Sequence, residues 1–231
     1  MKQRPILFRD ELVRAILDGR KRQTRRLVGL PSLRRSETPG YDWTFRGRAP
    51  IRSVAQQQRH PGGCWQDVGH DRLVALCPYG VPGDLLWVRE CWGASSWYDG
   101  TAPRDIHPGA GVAYRATGGV AGVKLRPSIH MPRWAARLFL RVTDVRVERL
   151  QDISDEDARA EGVKARDAAI VFQNDADGRP RLTAELHGTA RSAFACLWDS
   201  LAKPGSMWPD NPWVWVVNFE RASDEREVGR G

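Results

Sequence analysis

One short segment of the chain combines a hydroxyl group with several cations. The stretch GRKRQTRR, from Gly19 to Arg26, holds five basic residues, one threonine and no acid. A threonine hydroxyl is a weak nucleophile until a neighbouring base takes its proton. A lysine acts as that base only when burial or nearby cations lower its pKa. Because arginines flank Lys21, Lys21 and Thr24 are candidates for this chemistry. A phosphate-binding patch, or a basic strand with an incidental hydroxyl, is the alternative.

The spacing of Lys21 and Thr24 restricts the backbone between them. In a regular strand, residues i and i+3 point to opposite faces of the sheet. The two side chains therefore converge only across a turn or a bulge. A helix that ends at Gly19, just before the segment, is consistent with such an irregularity.

Positive charge is concentrated near the N-terminus. The chain has 231 residues and a formal net charge of +8. Residues 1–60 contain 15 Lys/Arg against 5 Asp/Glu, whereas the remaining residues contain 21 against 23. This asymmetry favours an anionic partner, of which nucleic acid is the usual example. A solvated Arg-rich loop is the equally weighted alternative.

Local patterns predict the elements that position the segment. Asp10 is a predicted helix N-cap and Gly19 the residue after the helix. Apolar residues recur between them at helical spacing: Leu12, Val13, Ile16 and Leu17. A second helix is predicted from the N-cap Ser154, with Asp157 at the third position, to Gly162. A third is indicated by the spacing of Phe194, Leu197, Trp198 and Leu201.

Strand signals lie between these helices. The clearest is the alternation in RLFLRVTDVRVERL, from Arg137. The stretch VPGDLLWVRECW predicts a turn, set by Asp84, and then a strand. Two more strands are predicted over 111–116 and 211–220. The sequence thus predicts one α+β domain over residues 1–220, with an antiparallel or mixed sheet.

The rest of the chain is less regular. Segments 29–76 and 165–187 are predicted as insertions, and 221–231 as a disordered tail. No apolar run approaches the roughly 20 residues that a bilayer-spanning helix needs. The N-terminal stretch carries charges within its apolar part, unlike a signal peptide. A cytoplasmic protein is therefore expected.

Cysteines, histidines and tryptophans supply further candidates. His60, Cys64, His70 and Cys77 have the side chains of a zinc site, but they lack the paired C-x2–4-C spacing of structural sites. Loop cysteines are the favoured interpretation, and no metal is assigned. Four apolar-strand and helix tryptophans are predicted to be core: Trp87, Trp198, Trp213 and Trp215. Trp92, Trp97 and Trp134 lie near polar or Gly/Pro-rich sequence, where one of them could stack on a base.

The order of these motifs resembles that of the ASCH family. The shared features, in chain order, are a helix followed by GRKxxTxR, then PGDxLxVRE, a long strand, an acid-rich helix ending in EGV, and a terminal WVWVVNF strand. CPYGVPGDLLWVRE (Cys77–Glu90) and SIHMPRWAAR (Ser128–Arg137) resemble a phage-associated subgroup. The resemblance runs from about Ile6 to Glu220. It implies a PUA-like fold, a small mixed β-barrel with flanking helices, whose pocket faces nucleic acid or a nucleoside.

One branch of that family removes the acetyl group from N4-acetylcytidine. The resemblance implies the catalytic set Lys21, Thr24 and Glu161, in which Thr24 attacks the acyl carbonyl, Lys21 takes its proton and Glu161 assists. It implies no cofactor. Predicted substrate-binding residues surround this set: Arg20, Arg25, Arg26, Trp92, Trp134 and His130. For His130 a structural role is the alternative, and for each tryptophan core packing is the alternative.

The expected function is therefore an amidohydrolase for N4-acylated cytosine, as a nucleoside or within nucleic acid. The first alternative is a non-catalytic reader of modified bases in DNA or RNA, with the arginines binding phosphates. A nuclease is a third interpretation, supported by basic charge alone. No membrane partner is expected, and the sequence sets no oligomeric state.

Overall fold

The computed structural model describes residues 1–28, 41–44, 55–58, 65–67, 71, 74–119, 122–164, 171–174, 180–184 and 188–222. Its strands are β1 (Gln3–Leu7), β2 (Gln23–Leu27), β3 (Tyr41–Thr44), β4 (Ala55–Gln58), β5 (Trp65–Asp67), β6 (Leu85–Arg89), β7 (Trp92–Ala94), β8 (Val112–Tyr114), β9 (Phe139–Arg149), β10 (Val171–Asn174), β11 (Pro180–Ala184) and β12 (Trp213–Arg221). Its α-helices are α1 (Asp10–Leu17), α2 (Asp155–Ala160) and α3 (Ala190–Asp199).

The main sheet is mixed and has five strands, in the order β1-β6-β9-β12-β2. β1 runs parallel to β6, β9 runs antiparallel to β6, and β2 runs antiparallel to β12. The predicted α+β class is confirmed. Among the described strands, β2 does not pair with β1, so this part of the chain forms an open sheet instead of a closed barrel.

The chain divides into two compact units within the range predicted as one domain. The first unit comprises Met1–Arg20, Tyr79–Asp144 and Phe219–Gly231. The second comprises Lys21–Pro78 and Val145–Asn218. The divisions fall within β9, after Asp144, and within β12, after Asn218.

The first unit contains α1, whose inward face buries Val13, Ala15 and Ile16. Gly19 follows the helix with a φ of 73°, in the left-handed conformation that favours glycine, as predicted. The predicted N-cap is wrong by one residue. Arg9 is the N-cap, and Asp10 is the first helical residue, with its carboxylate accepting a hydrogen bond from Arg115.

A turn and a hairpin complete the first unit. The Asp84 carboxylate accepts hydrogen bonds from the backbone N–H of Lys2 at 2.6 Å and of Val81 at 3.3 Å, which fixes the turn before β6 as predicted. β7 and β8 form an antiparallel pair. Trp92 and Ala94 of β7 belong to an apolar cluster with Ile106, Met131 and Ala135.

The second unit packs α2 and α3 around an apolar cluster of Leu150, Ile153, Ala158, Ala190, Phe194, Val214 and Val216. The Ser154 hydroxyl accepts a hydrogen bond from the Asp157 N–H at 3.0 Å, and Gly162 follows α2 with a φ of 94°. Both predicted ends of α2 are therefore confirmed.

The predicted insertions contain regular structure. β3, β4 and β5, within 29–76, form an antiparallel sheet, and β10 and β11, within 165–187, form an antiparallel pair. The predicted tail is described only to residue 222. In the part of the chain that the structure describes, no helix combines the length and apolar character needed to cross a bilayer.

Candidate active site

Lys21 and Glu161 meet in the second unit. Lys21 precedes β2 and forms an isolated antiparallel bridge with Glu161, which caps the C-terminal end of α2. The neighbouring Arg22 N–H donates to the Ala160 carbonyl at 2.8 Å. This bridge holds the chain before β2 against the end of α2. Both Lys21 and Glu161 are only 3% exposed.

Three acceptors surround the Lys21 ammonium. Nζ lies 2.7 Å from Glu161 Oε2, 2.9 Å from the Glu161 carbonyl oxygen and 2.7 Å from the Gln23 carbonyl oxygen. An ammonium group has three protons to donate, so the arrangement matches its full complement. Because the Gln23 carbonyl belongs to the peptide bond that joins Gln23 to Thr24, Nζ lies beside the backbone of Thr24.

Burial is the largest influence on the pKa of Lys21, and it lowers that pKa because it disfavours the charged form. The Glu161 carboxylate acts in the opposite direction, through its charge and its hydrogen bond. The Arg26 and Arg25 charges add to the lowering, and the net shift is downward. A lysine with a lowered pKa is suited to accept a proton from a nucleophile.

Glu161 is held between two cations. Its Oε2 pairs with Lys21, and its Oε1 lies 3.4 Å from Arg25 Nη1. The Arg25 side chain is fully buried and also pairs with Glu148 at 2.9 Å and Asp157 at 3.0 Å. Substrate contact was predicted for Arg25, but this placement fits a role in positioning Glu161.

The buried network extends beyond Arg25. Arg146 pairs with Glu148 at 2.5 Å and with Asp157 at 2.8 Å. Burial alone would raise the pKa of Asp157, but a hydrogen bond from Gln23 and the charges of Arg25 and Arg146 together hold that pKa below its ordinary value. The network therefore pairs three cations with three carboxylates. The cations are Lys21, Arg25 and Arg146, and the carboxylates are Glu148, Asp157 and Glu161.

Gln23 connects the network to the sheet. Its Nε2 donates to Asp157 Oδ1 at 3.0 Å and to Asn218 Oδ1 at 2.6 Å, and its Oε1 accepts a hydrogen bond from Arg25. Gln23 and Arg25 therefore share one face of β2. Since successive strand residues alternate, Thr24 and Arg26 belong to the other face.

Thr24 is 3% exposed and lies opposite Val217 in the pairing of β2 with β12. Lys21 stands two residues before β2, as an isolated bridge residue, and the turn or bulge expected between it and Thr24 stays a prediction. Direct contact between Nζ and the Thr24 hydroxyl stays a prediction. Arg26, opposite Trp215, is half-buried, and its effect on the pKa of Lys21 places its charge within electrostatic reach.

The remaining predicted substrate-binding residues belong to the first unit. Arg20 pairs with Asp18 at 3.0 Å. Trp92 is fully buried, with its ring edge-on to Trp134 at a centroid distance of 6.0 Å. Core packing therefore describes Trp92, whereas Trp134 is half-buried. His130 is exposed and lines a separate pocket.

Of the four residues with zinc-ligand side chains, His60, Cys64 and His70 lie outside the described residues, whereas Cys77 is a buried free thiol. Within the described ranges, no group of three or more potential metal-binding side chains is assembled. A metal site at these four residues is therefore neither supported nor assigned.

Sequence reasoning missed the network partners Arg146 and Glu148. They lie two apart on β9, in a stretch where Val145 to Glu148 are all buried. Opposite charges at i and i+2 share one face of a strand. Such a pair inside an apolar strand was the available signal, because buried charges are rarely found without partners.

Comparisons with protein-family models, with curated proteins and with solved structures each find no match to this chain.

Proposed function

We propose that this chain is an ASCH-type amidohydrolase with a PUA-like fold, which removes the acyl group from N4-acylated cytosine. The observation that carries the proposal is the buried Lys21–Glu161 pair, in which burial lowers the pKa of the lysine. The sequence resemblance names the same two residues and Thr24. Geometry supports the Lys21–Glu161 pair, and the role of Thr24 rests on the resemblance.

In the proposed reaction, neutral Lys21 takes the proton of the Thr24 hydroxyl as Oγ1 bonds to the acyl carbon. The C–N bond to cytosine N4 then breaks, and the leaving nitrogen takes a proton from the Lys21 ammonium. Water attacks the resulting acyl-threonine ester, with Lys21 again as base, and releases the carboxylic acid and free Thr24. Arg26 is suited to stabilise the negative charge on the carbonyl oxygen.

Glu161 has two tasks in this scheme. It orients Nζ through a 2.7 Å contact, and it stabilises the ammonium that forms when Lys21 takes the proton. Arg25 contacts the other carboxylate oxygen of Glu161 and so restricts its rotation. Lys21 must lose one of its three donated protons before the reaction begins, and its lowered pKa makes that loss easier.

The test is incubation of the purified protein with N4-acetylcytidine and its deoxy form, followed by ultraviolet absorbance as cytidine or deoxycytidine appears. Lys21→Ala and Thr24→Ala should each reduce turnover by on the order of 10³-fold or more, since members of a catalytic unit act together. Lys203→Ala and Thr143→Ala change exposed residues of the same types and serve as matched controls. Full turnover in Thr24→Ala would exclude it as the nucleophile.

A specific observation also favours the non-catalytic reader. The three acceptors around Nζ satisfy a charged lysine, as a purely structural ion pair would require. Lys21→Arg separates the two functions, because arginine keeps the charge but does not act as a base. A reader should bind acylated cytosine without releasing acid and tolerate Lys21→Arg. The hydrolase should lose turnover in a folded Lys21→Arg variant, with folding checked by circular dichroism.

A further inference from the structure

A second pocket, of about 420 Å³, lies in the first unit. The two motif stretches that the proposed chemistry leaves unused converge on it. Arg89 comes from CPYGVPGDLLWVRE, and His130 comes from SIHMPRWAAR, together with the flanking residues Ile129 and Pro132. Arg104 lines the pocket from a third segment.

Arg89 is a half-buried cation that lines this pocket. Burial lowers its pKa, and its Nη2 donates to the Ile129 carbonyl oxygen. Its Nε is buried and has no hydrogen-bond partner among the described residues. By contrast, the nearby Arg137 makes a two-pronged contact of 2.9 Å and 2.9 Å to the buried Glu90 carboxylate.

No carboxylate of the described residues forms an ion pair with Arg89. A partly desolvated guanidinium without an anion is costly, and an anionic ligand relieves that cost. Arginine is also the side chain whose planar fork best matches a phosphate.

The rim of the pocket adds two further potential cations. The Arg104 side chain is 87% exposed, and its contact with Asp105 is long, at 3.8 Å. Exposed pairs of this kind are weak, so Arg104 is available to a ligand. His130 is exposed on the same pocket and can donate a hydrogen bond from its ring.

Apolar groups form the other walls, including Pro103, Ile129 and Pro132. A pocket of this volume is in the range of small-molecule sites, which combine apolar walls with a few polar groups. Inorganic phosphate alone has no use for apolar walls, whereas a nucleoside phosphate offers an anion and a flat ring together. The segment that supplies Pro103 and Arg104 also presents Trp97, 92% exposed, and exposed aromatic rings stack on bases.

We propose that this pocket binds a nucleoside phosphate, with the phosphate on Arg89, Arg104 and His130 and the base or sugar against Ile129, Pro103 and Pro132. The phosphate belongs either to a free nucleotide or to a nucleic-acid strand. The site is separate from the proposed hydrolysis and does not depend on it.

Calorimetric titration of the full chain with CMP, cytidine, inorganic phosphate and a short single-stranded oligocytidylate tests the site. CMP should bind at least about tenfold more tightly than cytidine, because charge-assisted contacts to phosphate are among the stronger hydrogen bonds. Arg104→Gln and Arg89→Lys should each weaken CMP binding several-fold. Arg221→Gln removes an exposed arginine of the same unit outside the pocket lining, so it should change nothing.

Tighter binding of the oligonucleotide than of CMP would assign the phosphate to a strand, and equal binding would assign it to a free nucleotide. Either result supports the site. Equal affinities for cytidine and CMP, binding of inorganic phosphate as tight as that of CMP, or unchanged CMP binding in both pocket variants would overturn it. Cytidine is also the product of the proposed hydrolysis, so the two pocket variants, which leave Lys21 and Thr24 intact, separate this outcome from that of the hydrolysis assay.

Discussion

At the scale of single residues, the Lys21–Glu161 pair is the feature on which the proposed function depends. Both side chains are buried, and Glu161 also contacts Arg25. Buried ion pairs contribute little net stability compared with apolar residues of similar size, but removal of one partner leaves an uncompensated charge. The cluster is therefore better explained by positioning and chemistry than by stability alone.

Glu161→Gln should destabilise the fold strongly. It removes the carboxylate that faces Lys21 and Arg25, and breaking a buried pair in this way costs about 3–5 kcal/mol. Urea unfolding followed by circular dichroism measures the change. Glu156→Gln, an exposed change in the same helix, should stay within about 0.5 kcal/mol. Equal stabilities for the two variants would show that Glu161 is not essential to the cluster.

The hydrolysis rate should rise with pH below the ordinary lysine pKa of 10.5. The neutral fraction of Lys21 grows as pH passes through its lowered pKa, and only neutral Lys21 accepts the Thr24 proton. The pH profile of kcat/KM measures this rise. Lys21→Arg should show no turnover at any pH of the series, since the guanidinium stays charged. A wild-type rate independent of pH up to 10.5 would argue against Lys21 as the base.

Asp157 should make stability depend on acid pH. Because the folded protein lowers the pKa of Asp157 below 3.8, its contribution is fully present above the unfolded pKa and is lost as pH falls through the folded pKa. Urea unfolding at a series of acid pH values should show a shallower decline for Asp157→Asn. Asp152→Asn, an exposed change, should reproduce the wild-type slope.

At the scale of elements, the short helix α2 connects stability to the site. Asp157 and Glu161 lie four residues apart, about one turn, so both carboxylates face the network from β2 and β9. The capping of α2 was predictable from sequence because a cap involves residues three positions apart. In β2, Gln23 and Arg25 lie on the face toward the network and Thr24 lies on the opposite face, because successive strand residues alternate between faces.

Ser154→Ala should destabilise the protein by about 1 kcal/mol, since it removes the N-cap acceptor of α2. Thermal or urea unfolding measures the loss. Ser154→Asp keeps an oxygen acceptor at the cap and should retain most of the stability. If the two variants lost the same stability, the cap would not be what holds α2.

At the scale of the whole molecule, the net charge of +8 bears on the kind of substrate. An excess of positive charge attracts a polyanion, whereas a free nucleoside has no phosphate to attract. The charge therefore favours a substrate that carries phosphate.

Binding of an oligonucleotide should therefore weaken steeply between low and moderate salt, while binding of N4-acetylcytidine should change little. Each phosphate contact contributes a slope of about −0.7 for single strands in a plot of log affinity against log salt. Fluorescence titration at several salt concentrations gives both slopes. A flat dependence for the oligonucleotide would indicate that the basic residues do not contact a polymer.

The sequence by itself determined the chemical candidates and many of the elements, but β3–β5, β10 and β11 lie in segments that it predicted only as insertions. Helix caps, strand alternation and the turn at Asp84 depend on neighbours a few residues apart, and each was predictable for that reason. Lys21, Thr24 and Glu161 could be named from motifs. The first helix was misplaced by one residue because Asp10, an acceptable cap, instead pairs with the distant Arg115.

Only the tertiary structure decided which of these residues meet. Lys21 and Glu161 are 140 residues apart, and Arg25 lies 123 residues from Glu148. It also placed Trp92 and His130 in the first unit and Arg25 in a buried network of the second. Burial, desolvation and ion pairing act between elements that are distant in the chain, so local sequence patterns do not record them.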